Sequence, residues 1–173
     1  MLEELTNEAE NLRRDDLEAN LILLQKCREF LHCNHSLLTE LRVRIIPIIC
    51  RQSGKTTKDF SDQIIEHKKK LCQENLAVFK VIAPGLTRQR GGCLFELQDC
   101  NFFLAKRQYE DGKMAENKFT DLLIDCKKIL VECLTCLNNE PHNSIEKYYE
   151  VSANVSLKFI SETVDVMLAY SRM

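Results

Sequence analysis

The stretch VFKVIAPGLTRQRGGCLFELQDCNFFLAKRQY, residues 78–109, decides the fold. Two segments with helical spacing of apolar residues meet in it at Pro84-Gly85, a pair that neither continues a helix nor fits comfortably in a strand. Thr87 can cap the helix that follows. That helix runs to about Tyr109 and carries apolar residues around much of its circumference: Leu94, Phe95, Leu97, Cys100, Phe102, Phe103 and Leu104. We therefore predict a central helix that neighbours cover on several sides.

Helical periodicity continues in both directions from this stretch, and no segment alternates convincingly with a period of two. After a turn at Asp111-Gly112, eight apolar residues share one predicted helical face that must pack on neighbours: Phe119, Leu122, Leu123, Cys126, Ile129, Leu130, Cys133 and Leu137. A second long stripe precedes the Pro84-Gly85 joint and comprises Phe60, Ile64, Leu71, Val78 and Ile82.

Helix boundaries near the N-terminus follow from capping residues and proline. Leu2, Leu5, Ala9 and Leu12 predict a short first helix, and Asp15 opens a second helix that carries Leu17, Leu21, Leu24 and Leu31. Asn34 or Ser36 starts a third, which Pro47 should kink or end near Ile46.

The last helix begins after Pro141. Asn143 and Glu146 have the spacing of a capping box there. The apolar stripe of this helix runs through Ile145, Tyr148, Ser152, Val155, Phe159 and Val166.

The predicted fold class is all-α. Six or seven helices joined by links of roughly 2–6 residues imply antiparallel hairpins, arranged either as a bundle or as an irregular stack like tetratricopeptide repeats. No clean repeat of about 34 residues is present in the sequence. We expect one helical domain, 1–173, with 1–53 and 54–173 as candidate sub-units.

Composition narrows the class of partner. A 45% apolar and 29% charged chain is typical of a folded protein, and a net charge of -2 with a pI near 6.1 argues against nucleic acid. No apolar run approaches the roughly 20 residues that cross a bilayer, so we expect no membrane association. The nine cysteines occur without a signal-like N-terminus, which predicts reduced thiols and an intracellular location, cytoplasmic or nuclear.

Two motifs resemble ligand sites. Ser53-Gly54-Lys55-Thr56 resembles the end of a phosphate-binding loop, but Ile49 stands where that loop needs its first glycine, so a turn is favoured. Cys133-x-x-Cys136 lies inside a helical stripe, where buried thiols are the ordinary interpretation. A zinc site remains an alternative if these cysteines meet the candidate ligands at the end of the second helix, His32, Cys33 and His35.

Charged residues give one candidate interaction site. Arg88 and Arg90, beside Thr87, could bind an anion or an acidic peptide at a helix start, and the alternative is a solvated first turn. We interpret 68–70, three consecutive lysines, as a solvated helix face. No carboxylate is paired with a base in a recognisable catalytic set, so no catalytic residue is predicted.

Three segments together resemble the C-terminal helical, tetratricopeptide-like region of SET and MYND domain proteins, especially the arthropod group. Residues 84–97, PGLTRQRGGCLFEL, look like that family's "PGLTRxRG...LYEL" segment, although Gly92-Cys93 stands where apolar residues are usual. Residues 24–41, LQKCREFLHCNHSLLTEL, are similar to a helix, a histidine-containing joint and a second helix. Glu140-Pro141-His142 is similar to the family's late joint.

The resemblance implies a function mainly by what this chain lacks. In such lysine methyltransferases a SET domain binds S-adenosylmethionine, a MYND finger binds zinc, and the C-terminal helices wall the substrate cleft. The sequence has neither the SET motif nor the MYND cysteines, so we expect no catalysis and no cofactor in this chain.

We expect instead a non-catalytic helical interaction domain, from a truncated or partial gene product, that contacts a SET module in cis or another protein. The alternatives are part of an active methyltransferase once the SET and MYND half is supplied, or a stand-alone helical adaptor.

Overall fold

The computed structural model describes residues 1–50, 55–138 and 140–170, and every regular element in those ranges is helical. They contain one 3-10 turn, Thr57–Asp59, and seven α-helices: α1 Leu2–Asn11, α2 Leu17–Phe30, α3 Ser36–Ile45, α4 Asp62–Ile82, α5 Arg88–Glu110, α6 Glu116–Cys136 and α7 Ile145–Tyr170. The prediction of an all-α fold built from packed helices is confirmed.

The helices form two compact units. The first unit, Met1–Ile82, contains α1 to α4, which pack in chain order, each on the next. The second unit, Ala83–Met173, contains α5 to α7, and each of these three helices packs on the other two. The single domain with sub-units 1–53 and 54–173, and the likeness to tetratricopeptide repeats, stay predictions.

Capping residues determine where the helices of the first unit begin. Asp16, not the predicted Asp15, caps α2, since its carboxylate accepts a hydrogen bond from the Ala19 amide at 3.0 Å. The neighbouring Asp15 carboxylate pairs with Arg13 instead, which lowers the pKa of Asp15. α3 begins at Ser36, which is one of its two predicted starts, and it ends at Ile45, just before Pro47.

α4 buries a different face from the predicted stripe. Leu71 and Val78 are buried as expected, but Ile64 and Ile82 are 42% and 65% exposed, so that part of the prediction is wrong. The other apolar residues that α4 buries are Ile65, Cys72 and Phe79. Two adjacent isoleucines offer two faces about 100° apart on a helix, and packing on neighbouring helices selects the second.

The predicted exposure of Lys68 is also wrong. The three lysines at 68–70 were interpreted as a solvated face, but Lys68 is only 1% exposed, whereas Lys70 is exposed. Successive helical residues point about 100° apart, so three consecutive lysines span about 200° of the helix circumference, and Lys68 falls on its buried side. The long aliphatic stem of lysine lets it pack in an otherwise apolar face.

A buried arginine joins three parts of the first unit. Arg42 on α3 is 2% exposed, and its Nη2 donates to the Cys33 carbonyl at 2.9 Å and its Nη1 to Asn75 Oδ1 at 3.4 Å. Its Nε lies 3.0 Å from Glu74 Oε2, close enough for an ion pair, although the angle falls short of a hydrogen bond. The same oxygen accepts from Arg28 Nη2 at 2.6 Å. Burial lowers the pKa of Arg42, and the Glu74 carboxylate opposes that shift.

The second unit follows the sequence pattern closely. Thr87 caps α5, accepting a hydrogen bond from the Arg90 amide at 3.3 Å, and Gly112 forms the predicted turn with a φ of 69°. α6 buries most of its predicted stripe: Phe119, Leu123, Cys126, Leu130, Cys133 and Leu137. α5 packs on both α6 and α7, as predicted for the helix with apolar residues around its circumference.

Two consecutive glycines let α5 approach its neighbours closely. A Cβ atom at Gly91 would lie 2.7 Å from the Leu137 side chain and 2.9 Å from Cys136 Cβ, both too near for real atoms. At Gly92 it would lie 3.3 Å from the Tyr149 ring, which is tight but tolerable. The Cys133 thiol also donates to the Gly91 carbonyl at 3.3 Å. Gly91 is therefore a point of close contact between α5 and the end of α6.

Candidate interaction surface

α7 packs in the second unit through one buried face. Its buried residues are Tyr149, Ala153, Ile160, Val164 and Met167. The Tyr149 hydroxyl donates to Glu96 Oε1 on α5 at 2.9 Å, and its ring centroid lies 5.3 Å from that of Phe95. Glu96 and Tyr149 are 2% and 5% exposed, so a buried polar bond accompanies the apolar packing.

α7 also carries a second apolar face, which is exposed. Seven large apolar side chains on it are at least half exposed: Ile145, Tyr148, Val151, Val155, Phe159, Val166 and Tyr170. At 100° per residue they fall within an arc of about 120°, and the helix they follow is about 39 Å long. We call this arc the α7 face.

The stripe found in the sequence of the last helix belongs to the α7 face. The sequence pattern does not indicate the buried face of the same helix. Ser144, not Asn143, makes the capping contact, since its hydroxyl accepts from the Lys147 amide at 3.1 Å. The strongest periodic signal in the sequence of α7 therefore describes its exposed side, whereas Tyr149 and Ala153 lie in the core.

Charges flank the α7 face on one side only. Lys158, Glu162 and Asp165 are exposed and lie along the same edge of the arc, with the cation nearer the N-terminus of the helix. Within the described ranges, none of the three forms an ion pair. On the edge across the arc lie the uncharged Ser152, Ser156 and Thr163. The face is apolar at its centre and has a charged border on one side.

Arg88 and Arg90, the candidate interaction residues, both pair within the second unit. Arg88 Nε lies 3.0 Å from Glu140 Oε2, and Arg90 Nη2 donates to Glu132 Oε1 on α6. The Arg88 side chain is 61% exposed and that of Arg90 is 27% exposed. Acidic groups of the chain itself therefore occupy the position proposed for an acidic ligand, and the role of the two arginines in binding stays a prediction.

The remaining motifs offer no assembled ligand site. Ser53 and Gly54 lie outside the described residues, and Thr56 caps the 3-10 turn, its amide donating to Asp59 Oδ2 at 2.8 Å. Among the residues that the structure describes, no three His, Cys, Asp or Glu side chains are placed to hold a metal ion. The zinc alternative therefore gains no support from the geometry.

Cysteine burial is uneven. Cys33 is exposed, and the other eight are buried: Cys27, Cys50, Cys72, Cys93, Cys100, Cys126, Cys133 and Cys136. Burial raises the pKa of Cys133 to about 12 and also raises that of Cys136. A thiol needs a low pKa and access to solvent to react as a nucleophile, so the Cys-x-x-Cys pair is packing material here.

We expect one cysteine to react rapidly with a thiol reagent in the native protein. Ellman's reagent should titrate about one thiol per chain within minutes and all nine in denaturant, because Cys33 alone among them is exposed. Cys33→Ser should abolish the fast phase. A fast phase that survives this substitution would contradict the burial of the other cysteines.

No α-helix among the described residues combines the length and apolar character that crossing a bilayer requires.

Comparison with known proteins places the chain in no group: no family model, curated protein or solved structure matches it.

Proposed function

We propose that this chain is a non-catalytic helical domain that binds another protein through the α7 face. The observation that carries the proposal is the row of seven large apolar side chains, each at least half exposed, on a helix already fixed by its other face. Single exposed apolar residues are ordinary on protein surfaces, but a contiguous row of them marks an interaction site.

The composition of the face suits a protein partner. It contains Tyr148, Phe159 and Tyr170 among aliphatic residues, and aromatic side chains are enriched at protein interfaces. The seven side chains together expose on the order of 700 Å², near the roughly 800 Å² that each partner buries in a standard interface. One ring is pre-positioned, since the Phe159 centroid lies 6.0 Å from that of Phe102 on α5.

Two further observations agree with binding rather than chemistry. The thiols are buried and the sequence offers no catalytic set, which supports a domain without enzymatic activity. The resemblance of 84–97 to the C-terminal region of SET and MYND proteins supports a helical wall that contacts a SET module in cis or a protein segment.

A photo-crosslinking amino acid at position 159 tests the proposal. In an extract of the cells that make the protein, we expect protein adducts from position 159. A matched probe at position 154 should give at least about fivefold fewer, because Asn154 is exposed on the same helix but lies outside the arc. Equal yields at the two positions, or no protein adducts at all, would refute binding through this face.

A further inference from the structure

We propose that the partner of the α7 face is a second copy of this chain, with the two α7 helices side by side and antiparallel. This inference rests on the proposed function and adds the identity of the occupant. Closed homodimers bury the same patch on both subunits, so the patch must be complementary to itself after a two-fold rotation. The α7 face meets that condition in the placement of its aromatic residues and in charge.

The two tyrosines of the face are symmetric about Phe159, and two valines are nearly so. Tyr148 and Tyr170 lie eleven residues before and after it, while Val151 lies eight residues before it and Val166 seven after. In an antiparallel pair centred there, each tyrosine faces the tyrosine at the other end of the partner helix. Phe159 faces its own copy at the centre, where fully desolvated aromatic residues contribute most to binding.

The charged border selects the antiparallel direction. An antiparallel two-fold pair brings the same edge of both helices together, running in opposite directions. Lys158 then lies level with residue 160 of the second copy and about 3 Å along the axis from the level of its Glu162. Asp165 of the second copy lies one helical turn further on. The cation of each copy faces the anions of the other, twice in the dimer.

A parallel pair lacks this complementarity. It would place the charged edge of one helix against the edge with Ser152, Ser156 and Thr163 of the other, so Lys158 would have no carboxylate to face. The three charged residues form no ion pair within the described part of the chain, and they are therefore available to the second copy. The exposed area already matches the contribution of one partner to a standard interface.

Charge reversal distinguishes the specific antiparallel pair from non-specific hydrophobic association. In Lys158→Glu both symmetric pairs become repulsive, and the same holds for Glu162→Lys. An equimolar mixture of the two variants restores both attractive pairs in the heterodimer. Because both side chains are exposed, neither substitution should unfold the chain, and circular dichroism checks this.

Sedimentation equilibrium of the purified full chain at low ionic strength gives the readout. We expect a wild-type dimer, dissociation about tenfold easier in each variant, and wild-type affinity in the mixture. Phe159→Glu should give a monomer. A wild-type chain that is monomeric up to about 100 µM overturns the inference, as do variants that dimerise like wild type or a mixture no tighter than its components.

The outcomes separate this inference from the proposed function. A monomeric chain that still gives protein adducts from position 159 in the extract retains the proposed function and excludes the second copy. A monomeric chain that gives no adducts loses both. A monomer that instead floats with lipid vesicles identifies a membrane surface as the occupant and also overturns the inference.

Discussion

Replacing Arg42 with alanine is expected to lower the free energy of unfolding by about 3 kcal/mol, the largest effect we predict for a single substitution. The guanidinium joins the Cys33 carbonyl, Asn75 Oδ1 and Glu74 Oε2 at a site that is 2% exposed. Removing it leaves the part-buried Cys33 carbonyl and the buried Asn75 amide oxygen without their donor, and it opens a cavity between α3 and α4. Glu74 keeps Arg28 and some contact with solvent, which limits the loss.

Urea denaturation followed by circular dichroism measures this loss. Arg13→Ala is the matched control, since Arg13 also pairs with a carboxylate, at 2.9 Å, but its side chain is 80% exposed. That control should change the free energy of unfolding by less than about 0.5 kcal/mol. Arg42→Lys should recover less than half of the loss, because one ammonium cannot reach all three acceptors. Equal stability of Arg42→Ala and Arg13→Ala would contradict the role assigned to Arg42.

Gly91→Ala should destabilise the protein by about 2 kcal/mol, although alanine is the better helix former by about 1 kcal/mol. The new methyl group would lie 2.7 Å from Leu137 Cγ and 2.9 Å from Cys136 Cβ, so α5 and the end of α6 would have to separate. That separation would also lengthen the hydrogen bond between the Cys133 thiol and the Gly91 carbonyl.

Gly92→Ala is the neighbouring control. Its methyl group would meet the Tyr149 ring at 3.3 Å, where a small shift of the ring suffices, and the gain in helix propensity offsets the strain. We expect a change within about 0.5 kcal/mol by the same urea measurement. If Gly91→Ala is as stable as Gly92→Ala, close packing of α5 on α6 is not what requires glycine at position 91.

Local signals in the sequence were sufficient for the helices themselves. Thr87 caps α5 and Pro47 ends α3 because both act within one turn of their own position. The buried side of α6 was equally readable, since its apolar residues form one face with polar residues opposite.

Features that depend on distant residues could not be predicted. Arg42 and Lys68 are charged residues that the sequence places on amphipathic helices, and only partners far along the chain, such as Asn75 for Arg42, make burial tolerable. The two faces of α7 are a related case. Its exposed stripe is as apolar as a core face, so periodicity identified it and missed the side that holds Tyr149.

The boundaries that were wrong by one residue have a local cause. Asp15 and Asp16 are both good capping residues, as are Asn143 and Ser144, and the sequence does not say which side-chain oxygen will be aligned with the free amides. Pairing of Asp15 with Arg13 leaves Asp16 for the helix.

The eight buried cysteines can serve as reporters of local unfolding. Each can be alkylated only when the helices around it part, so its labelling rate measures how often that region opens. Cys27 and Cys72 would time the opening of the first unit, while Cys100 and Cys126 would time the second. The order in which these cysteines are alkylated, followed by mass spectrometry, would show which unit opens more often.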